Sequence, residues 1–245
     1  MESLKKAFES VSKQPFLFVW SSLLFLLMFI LFIFAAIGVF LIYFLFLSIF
    51  GVELDITSIP TIGVVAVIVM ALLLIFNGIN AGLSMAYDRA LAGEKVSLTR
   101  FYSYSLDRAP NAFGIEILRN VIWILTAGPF IAAYIYLLQD YQYMDILIGI
   151  CVLFVTFIVH LLFTPAQLIC GVFGTGIFTS LKKGMDFLRV KHVFFIGSYM
   201  LFAVIWLLNF VPFLQIATIF FLYPLSYSSM IVMIKSKIKI QESDM

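Results

Sequence analysis

The sequence predicts an all-α integral membrane protein with six transmembrane helices, and three observations lead to this prediction. Hydrophobic residues make up 64% of the 245-residue chain and charged residues 11%, whereas soluble domains carry about 25% charged residues. Long apolar runs alternate with short polar gaps, and a helix needs roughly 20 apolar residues to cross a bilayer. Basic residues lie in only every second gap. So little charge would not cover the surface of a soluble globule, so a bilayer is the expected solvent.

The gaps with basic residues set the expected topology. All but one of the 15 Lys and Arg residues lie in four segments: the N-terminus, 89–108, 182–191 and the C-terminus. The alternate gaps hold acidic residues and no base, namely Glu53, Asp55, Asp140 and Asp145. Because basic loops stay on the cytoplasmic side, we expect a multi-pass protein of the cell membrane with both termini in the cytoplasm. The outer loops would then be 53–58, 139–145 and 209–212.

Six spans are expected, at 15–38, 60–87, 111–138, 146–171, 193–210 and 213–234. The first apolar run continues to Val52, and as one helix it would measure about 55 Å against a hydrocarbon core of about 30 Å. It contains no polar turn that would divide it, and it is far longer than the core of a cleaved signal peptide. We therefore expect one retained span whose continuation, Val39 to Phe50, is tilted or lies at the outer interface.

A short segment before the first span reappears before the fifth. Ser3 to Glu9 aligns without a gap with Ser180 to Asp186, and both carry an apolar stripe at positions i, i+4 and i+7 of a helix. The stripe residues are Leu4, Phe8 and Val11 in one copy and Leu181, Met185 and Leu188 in the other. A weaker copy precedes the third span, where Ser97 can cap a helix.

We interpret these copies as a threefold repeat within a single membrane domain, 1–245, with units at 1–92, 93–174 and 175–245. Each unit would be an amphipathic helix on the cytoplasmic surface followed by a hairpin of two spans. The surface helices would be Ser3–Ser12, Ser97–Leu106 and Ser180–Arg189. The alternative is that any basic amphipathic segment before a span would align equally well.

Membrane lipids are the expected partners of these surface helices. Helices of this kind point their basic side chains at lipid headgroups, here Lys5, Lys6, Lys182, Lys183 and Arg189. Bases that flank apolar runs neutralise the phosphates of a membrane surface, so nucleic acid is not an expected partner. A protein partner or a homo-oligomer stays open.

Three such units, with short SLKKGMDFL-like helices that enter six spans, resemble the YciC-like membrane proteins and the membrane domain of bacterial glycerophosphoryl diester phosphodiesterases. The resemblance covers most of the chain and is closest from Phe178 to Leu208. It is a resemblance of layout, and the matching residues include no catalytic motif. It implies the six-span fold with its surface helices.

The one basic residue outside the four segments is Arg119, which lies within the third span. Glu116 precedes it by three residues, so the two share a helix face and can pair. Counted from Asn111, they lie about 8 Å and 12 Å deep. Ionisable residues at such depth usually mark a functional site. The alternative is a structural ion pair, with Arg119 extending to the inner headgroups.

Further polar residues are expected at a similar depth, and together they would form a polar belt in the inner half of the bundle. They are Asn77 and Asn80 in the second span, Asn120 beside the ion pair, and His160 and Gln167 in the fourth span. This belt would line a cavity open to the cytoplasm, or it would consist of hydrogen bonds between helices. No second His or carboxylate stands at metal-ligand spacing from His160, and neither a metal nor a cofactor is expected.

Gly78 and Gly82 form a GxxxG motif in the second span. The motif permits close approach of two helices. Packing within the bundle is favoured over dimerisation, because a six-span bundle has many internal seams that need small residues.

The sequence predicts no enzyme chemistry. Gly82 to Ala86 faintly resembles a nucleophile elbow, but the segment lies within a helix and not on a strand-to-helix turn. The favoured function is that of a membrane scaffold or a lipid-interacting protein of the inner leaflet. The alternative is a transporter or channel for a small or lipidic substrate, with the polar belt lining an inner-facing cavity.

Overall fold

The computed structural model describes residues 2–49, 59–138, 141, 143–208 and 214–243, and within these ranges the chain forms helices and no strands. The helices are α1 (Glu2–Lys13), α2 (Pro15–Ile49), α3 (Ile59–Leu91), α4 (Leu98–Ala133), α5 (Met144–Phe173), α6 (Ile177–Leu208), α7 (Gln215–Ala217) and α8 (Tyr223–Ser243). Two π-helical turns, Tyr134–Leu138 and Thr218–Leu222, continue α4 and join α7 to α8. The expected outer loops 53–58 and 209–212, and part of 139–145, lie outside the described residues.

Five helices in the described part of the chain are long and apolar enough to cross a membrane, and a sixth qualifies if α6 is counted as one bent span. The five are Pro15–Ile49, Gly63–Leu91, Leu98–Leu137, Met144–Phe173 and Thr218–Ser236. The prediction of a helical, multi-pass membrane protein is therefore confirmed at the level of five to six spans.

The long first apolar run forms a single helix. α2 continues without a break from Pro15 to Ile49, and its 35 residues correspond to about 52 Å. A hydrocarbon core of about 30 Å covers only part of that length, so the helix must tilt or extend beyond the core. The continuation after Gly38 is therefore helical, and its place in the membrane, tilted within the core or at the outer interface, stays a prediction.

The segments that were expected to lie on the membrane surface before the first and fifth spans are set off from the helices that follow them. Gln14 separates α1 from α2, and α6 bends by 107° between Ile177–Lys191 and Phe195–Ile205. Lys191 takes non-helical backbone angles at this bend. Equivalent positions of the first and third expected units also agree in burial, since Phe18 and Phe195 are both fully buried in the same apolar cluster.

The second unit differs from this expectation. Ser97 does cap α4, accepting a hydrogen bond from the amide of Arg100 at 3.3 Å. The predicted surface helix Ser97–Leu106 is not a separate element, however, because α4 runs on from it through Pro110 into the third span. A buried stripe at Phe101, Ser105, Ala109 and Ala112 explains the continuity. This stripe crosses the proline without a change of phase, so packing against α3 holds both parts of α4 on one axis.

Packing is concentrated at one end of the bundle, here called the basic end, where Arg89, Lys95, Arg108, Lys182 and Lys235 lie. The main apolar cluster is found there and includes Phe18, Tyr87, Leu168, Phe195 and Met230. Polar contacts also join the elements at this end. The Lys235 ammonium lies 2.7 Å from the Asp88 carboxylate, Arg108 Nε donates to the Gly171 carbonyl at 2.9 Å, and Trp20 Nε1 donates to the Val96 carbonyl at 2.7 Å.

The opposite halves of the long helices expose large apolar side chains. Examples from four helices are Phe34, Ile42, Val67, Leu125 and Leu153, each between 68% and 70% exposed. Apolar surface of this extent is stable in a bilayer, where lipid chains cover it. The bundle is thus tight at the basic end and open to lipid at the other.

Two buried hydroxyl groups in α8 give a test of this packing. Ser228 and Ser229 are fully buried, and their hydroxyls have no hydrogen-bond partner among the described residues. An unpaired buried hydroxyl is destabilising, so we expect Ser229→Ala to stabilise the protein by about 1 kcal/mol. The measurement is the thermal unfolding midpoint in detergent.

Ser226→Ala is the matched control, because Ser226 is equally buried but donates to the Tyr223 carbonyl at 3.1 Å. A loss of stability in Ser229→Ala equal to that in the control would contradict this account.

Candidate functional site

A cavity of about 630 Å³ lies among α3, α4, α5, α6 and α8. Six of the seven polar residues that the sequence placed in the inner half of the bundle line it: Asn77, Asn80, Glu116, Arg119, His160 and Gln167. They come from three helices, and each helix turns one polar face to the cavity. The volume is in the ordinary range of small-molecule sites.

Glu116 is the centre of the hydrogen bonds in this cavity. One carboxylate oxygen accepts a hydrogen bond from the Arg119 guanidinium, and the other accepts from Gln167 Nε2 at 2.7 Å. The side chains of Glu116 and Arg119 are only 13% and 16% exposed. Their charges cancel, and the carboxylate has both oxygens engaged. The pair thus lies within the protein and is bridged to α5.

Asn120 is the predicted residue that the cavity does not include. It is exposed on the outside of α4, and its amide lies 3.5 Å from Glu116, at the limit of a hydrogen bond. It follows Arg119 directly, and neighbouring residues on a helix face different directions. Asn120 therefore belongs to the surroundings of the ion pair and not to the cavity wall.

Two polar side chains that line the cavity form no hydrogen bond among the described residues, namely the Asn80 amide and the His160 ring. The Asn77 amide, in contrast, donates to the Leu73 carbonyl at 2.8 Å. Asn80 and His160 are half-buried, so a molecule in the cavity can reach both. Arg119 Nε also has no hydrogen-bond partner among the described residues, but it is enclosed by protein.

Thr156, Thr164 and Tyr199 also line the cavity and were not singled out from the sequence. Thr156 and Thr164 stand four residues before and after His160, so one face of α5 carries all three. That spacing is a signal that sequence reasoning overlooked. Tyr227 also lines the cavity, with its hydroxyl 3.1 Å from that of Ser84. Tyr199 lines the cavity as well. Its sequence spacing gave no signal of this, because the direction of its side chain depends on the bend in α6.

The cavity wall on α3 is polar toward the basic end and apolar away from it, and passes from Ser84 through Asn80 to Phe76 and Leu73. Polar residues of α5 extend further, since Thr156 is about 25 Å from the end of α5 at Phe173. Ser84 is about 10 Å from the end of α3 at the basic end, and Leu73 is about 27 Å from it. Leu73 and Leu153, on the neighbouring α5, are 39% and 70% exposed. The apolar part of the wall therefore borders the surroundings of the bundle, which in a membrane are lipid chains.

Gly78 and Gly82 lie on the opposite side of α3 from this apolar wall, against α4. A Cβ atom on Gly78 would stand 2.5 Å from the Ser105 carbonyl oxygen and 2.8 Å from the Ala109 methyl group. A Cβ atom on Gly82 would meet the Ser105 hydroxyl. The GxxxG motif therefore packs α3 on α4 within the chain. This contact sets the distance between two of the helices that enclose the cavity.

The predicted headgroup-facing residues lie on α1 and on the first part of α6. Lys5, Lys6, Lys182 and Arg189 are exposed, and Lys183 is half-buried. Arg189 lies 3.5 Å from Asp186, and such exposed pairs contribute little to stability. Large apolar residues beside these bases are exposed too, with Phe8 at 59%, Phe178 at 83% and Met185 at 48%. This combination is typical of helices at a membrane surface.

Among the residues that the structure describes, no group of three or more His, Cys, Asp or Glu side chains is arranged to hold a metal ion. Comparison of the chain with protein-family models, with curated proteins and with solved structures finds no match. The resemblance to YciC-like proteins and to the phosphodiesterase membrane domain therefore rests on the layout of helices alone.

Proposed function

We propose that the protein is a non-enzymatic, lipid-interacting membrane protein whose cavity binds an amphipathic molecule. The observation that carries this proposal is the wall of the cavity, which combines polar side chains with apolar ones that border lipid. Asn80 and His160 have no hydrogen-bond partner among the described residues, and Leu73 and Leu153 are exposed to the surroundings of the bundle. A bilayer lipid has this same division between a hydrogen-bonding head and apolar chains.

The main competing interpretation is a structural tie with no ligand. Glu116, Arg119 and Gln167 by themselves fit that interpretation, since they satisfy one another. The volume of about 630 Å³ does not fit it, because interiors are close-packed and a purely structural polar contact needs no empty space. The Asn80 and His160 side chains are half-buried and line the cavity, so they can donate to and accept from a bound molecule.

A water-filled ion channel fits the wall less well. A conducting pore needs polar groups or backbone carbonyls along its length, whereas this wall becomes apolar at Phe76, Leu153 and Phe202. Transport of a lipidic substrate stays compatible with the same site, since a carrier must first bind what it moves.

In this proposal the basic end lies at the cytoplasmic leaflet. The exposed bases and apolar residues of α1 and of the first part of α6 then contact headgroups and upper acyl chains. The polar residues of the cavity then lie at the depth of the inner leaflet, and a lipid of that leaflet reaches them laterally from the bilayer.

A substitution that fills the cavity tests the proposal. Ala203 of α6 lines the cavity, and we expect Ala203→Trp to reduce lipid binding because the indole occupies the space of the ligand. The measurement is photo-crosslinking of the purified protein with diazirine-bearing lipids, followed by mass-spectrometric mapping of the adducts. Wild-type adducts should map to cavity residues of α3 and α5, and the substitution should lower them by about tenfold, as expected for a loss of about 1.4 kcal/mol.

Val204→Trp is the matched control for this experiment. Val204 is the next residue on the same helix, is 53% exposed and does not line the cavity. It should therefore leave the cavity adducts unchanged. If wild-type adducts are scattered over the lipid-facing surface, or if both tryptophan variants label alike, the cavity is not a lipid site.

A further inference from the structure

We propose that the cavity selects amphipathic molecules with an uncharged, oxygen-bearing headgroup, such as a diacylglycerol, over anionic phospholipids and phosphatidylethanolamines. This inference rests on the proposed function and adds the chemical class of the ligand. It comes from the charge balance and the hydrogen-bond inventory of the cavity.

The charged side chains that line the cavity neutralise each other. Glu116 and Arg119 are the charged residues that line it, and they pair with each other. His160 adds no charge in its neutral form, and a second cation beside Arg119 would be unfavourable in a site removed from water. A phosphate would bring a negative charge with no free counter-charge, and transfer of an unpaired charge from water into such a site is costly.

A zwitterionic headgroup with a primary ammonium, such as that of a phosphatidylethanolamine, meets the same difficulty at its ammonium group. The natural partner for an ammonium is a carboxylate, but both oxygens of Glu116 already accept hydrogen bonds, from Arg119 and from Gln167 at 2.7 Å. An incoming ammonium would have to displace one of these donors. Displacing Arg119 would leave the guanidinium without its counter-charge, which is strongly unfavourable for a buried pair.

Two polar side chains of the cavity suit neutral oxygen atoms. The Asn80 amide and the His160 ring, which line the cavity, each offer both a donor and an acceptor, as a hydroxyl group requires. A glycerol ester presents one free hydroxyl and two carbonyl oxygens, so these two side chains provide a partner for each kind of group.

The apolar chains of such a ligand have a way out of the cavity. Leu73 and Leu153 line the wall and are also exposed to the surroundings. Acyl chains can pass between α3 and α5 into the bilayer while the headgroup stays among the polar residues. The site therefore needs to enclose the head and only the first part of each chain.

Competition among lipids with identical chains tests the inference. The full-length protein is purified in detergent, stripped of lipid and mixed with equal amounts of dioleoylglycerol, dioleoylphosphatidylethanolamine and dioleoylphosphatidate, and retained lipid is read by native mass spectrometry. We expect wild-type protein to retain dioleoylglycerol over either phospholipid by about tenfold or more, and Ala203→Trp to abolish that retention. Preferential retention of either phospholipid, if sensitive to Ala203→Trp, would overturn the inference and leave the proposed function standing. Absence of any retention sensitive to Ala203→Trp would overturn both.

A charge variant provides a second test. Gln167→Lys keeps a donor next to Glu116 and changes the net charge of the cavity from zero to one positive charge. It should shift retention from dioleoylglycerol toward dioleoylphosphatidate by about tenfold. Gln167→Met removes the hydrogen bond without adding charge and should leave the preference for dioleoylglycerol over dioleoylphosphatidate as in the wild type. An unchanged ranking in a folded Gln167→Lys protein would show that charge balance does not select the ligand. If this variant does not fold, Asn80→Lys places the same charge in the cavity from α3.

Discussion

Glu116→Gln should lower the free energy of unfolding by about 3–5 kcal/mol, because it leaves the Arg119 guanidinium buried without its counter-charge. The geometry supports a large effect. Arg119 bonds to Glu116, its side chain is 16% exposed, and its Nε has no other partner among the described residues. The measurement is chemical or thermal unfolding of the purified protein in one detergent.

Addition of Arg119→Met to Glu116→Gln should recover much of this loss. Replacing a buried ion pair by apolar or neutral groups is often close to neutral, whereas removing one partner is not. The double-mutant cycle isolates the coupling between the two side chains. Strictly additive losses, with a coupling below about 0.5 kcal/mol, would show that the two do not meet in the membrane.

Asn120→Ala serves as the control for the cycle. Asn120 is also next to Arg119 in sequence, but it is exposed and 3.5 Å from Glu116. Its removal should change stability by less than about 0.5 kcal/mol, as is usual for surface positions. A large effect at Asn120 would mean that the ion pair is held from outside the cavity as well as from within.

The polar residues of the cavity could be located from the sequence because helical spacing fixes which residues share a face. Glu116 and Arg119 are three apart, and the depth of Asn80 and Gln167 follows from their distance to the ends of their spans. The volume between them could not be predicted. Whether polar faces meet or stay apart depends on the separation of the helix axes, and contacts distant in sequence determine that separation.

The continuity of α4 shows a second limit of the sequence. Pro110 lies four residues after Leu106, where the surface segment was expected to end, and a proline often marks such a boundary. Packing overrides it here, because Ser105 and Ala109 lie against the glycines of α3. The bend in α6 shows the reverse case, since no proline or glycine stands at Lys191 and the helix still bends by 107° nearby.

Gly78→Val should prevent the native packing of α3 on α4 and cost about 3 kcal/mol or more. A Cβ atom at this position would stand 2.5 Å from a backbone oxygen, that of Ser105. A backbone atom within a helix cannot move aside as the tip of a side chain can, so the two helices must separate. Thermal unfolding and the yield of monodisperse protein in gel filtration measure the effect. Gly63→Val is the matched control, because it adds the same branched side chain to the same helix at a position with nothing within 4 Å.

Loss of ligand binding should accompany the loss of stability in Gly78→Val, because the same contact sets the distance across the cavity. Asn77 and Ala81 flank Gly78 and line the cavity on α3, and Ala112 and Glu116 do so on α4. If Gly78 and Gly82 instead formed a dimer seam, the substitution would convert a dimer into a monomer of unchanged unfolding temperature and intact lipid retention. That outcome would contradict the packing of α3 on α4. A destabilised Gly78→Val protein, beside a Gly63→Val control of normal stability, would identify the α3–α4 contact as the one that maintains the shape of the cavity.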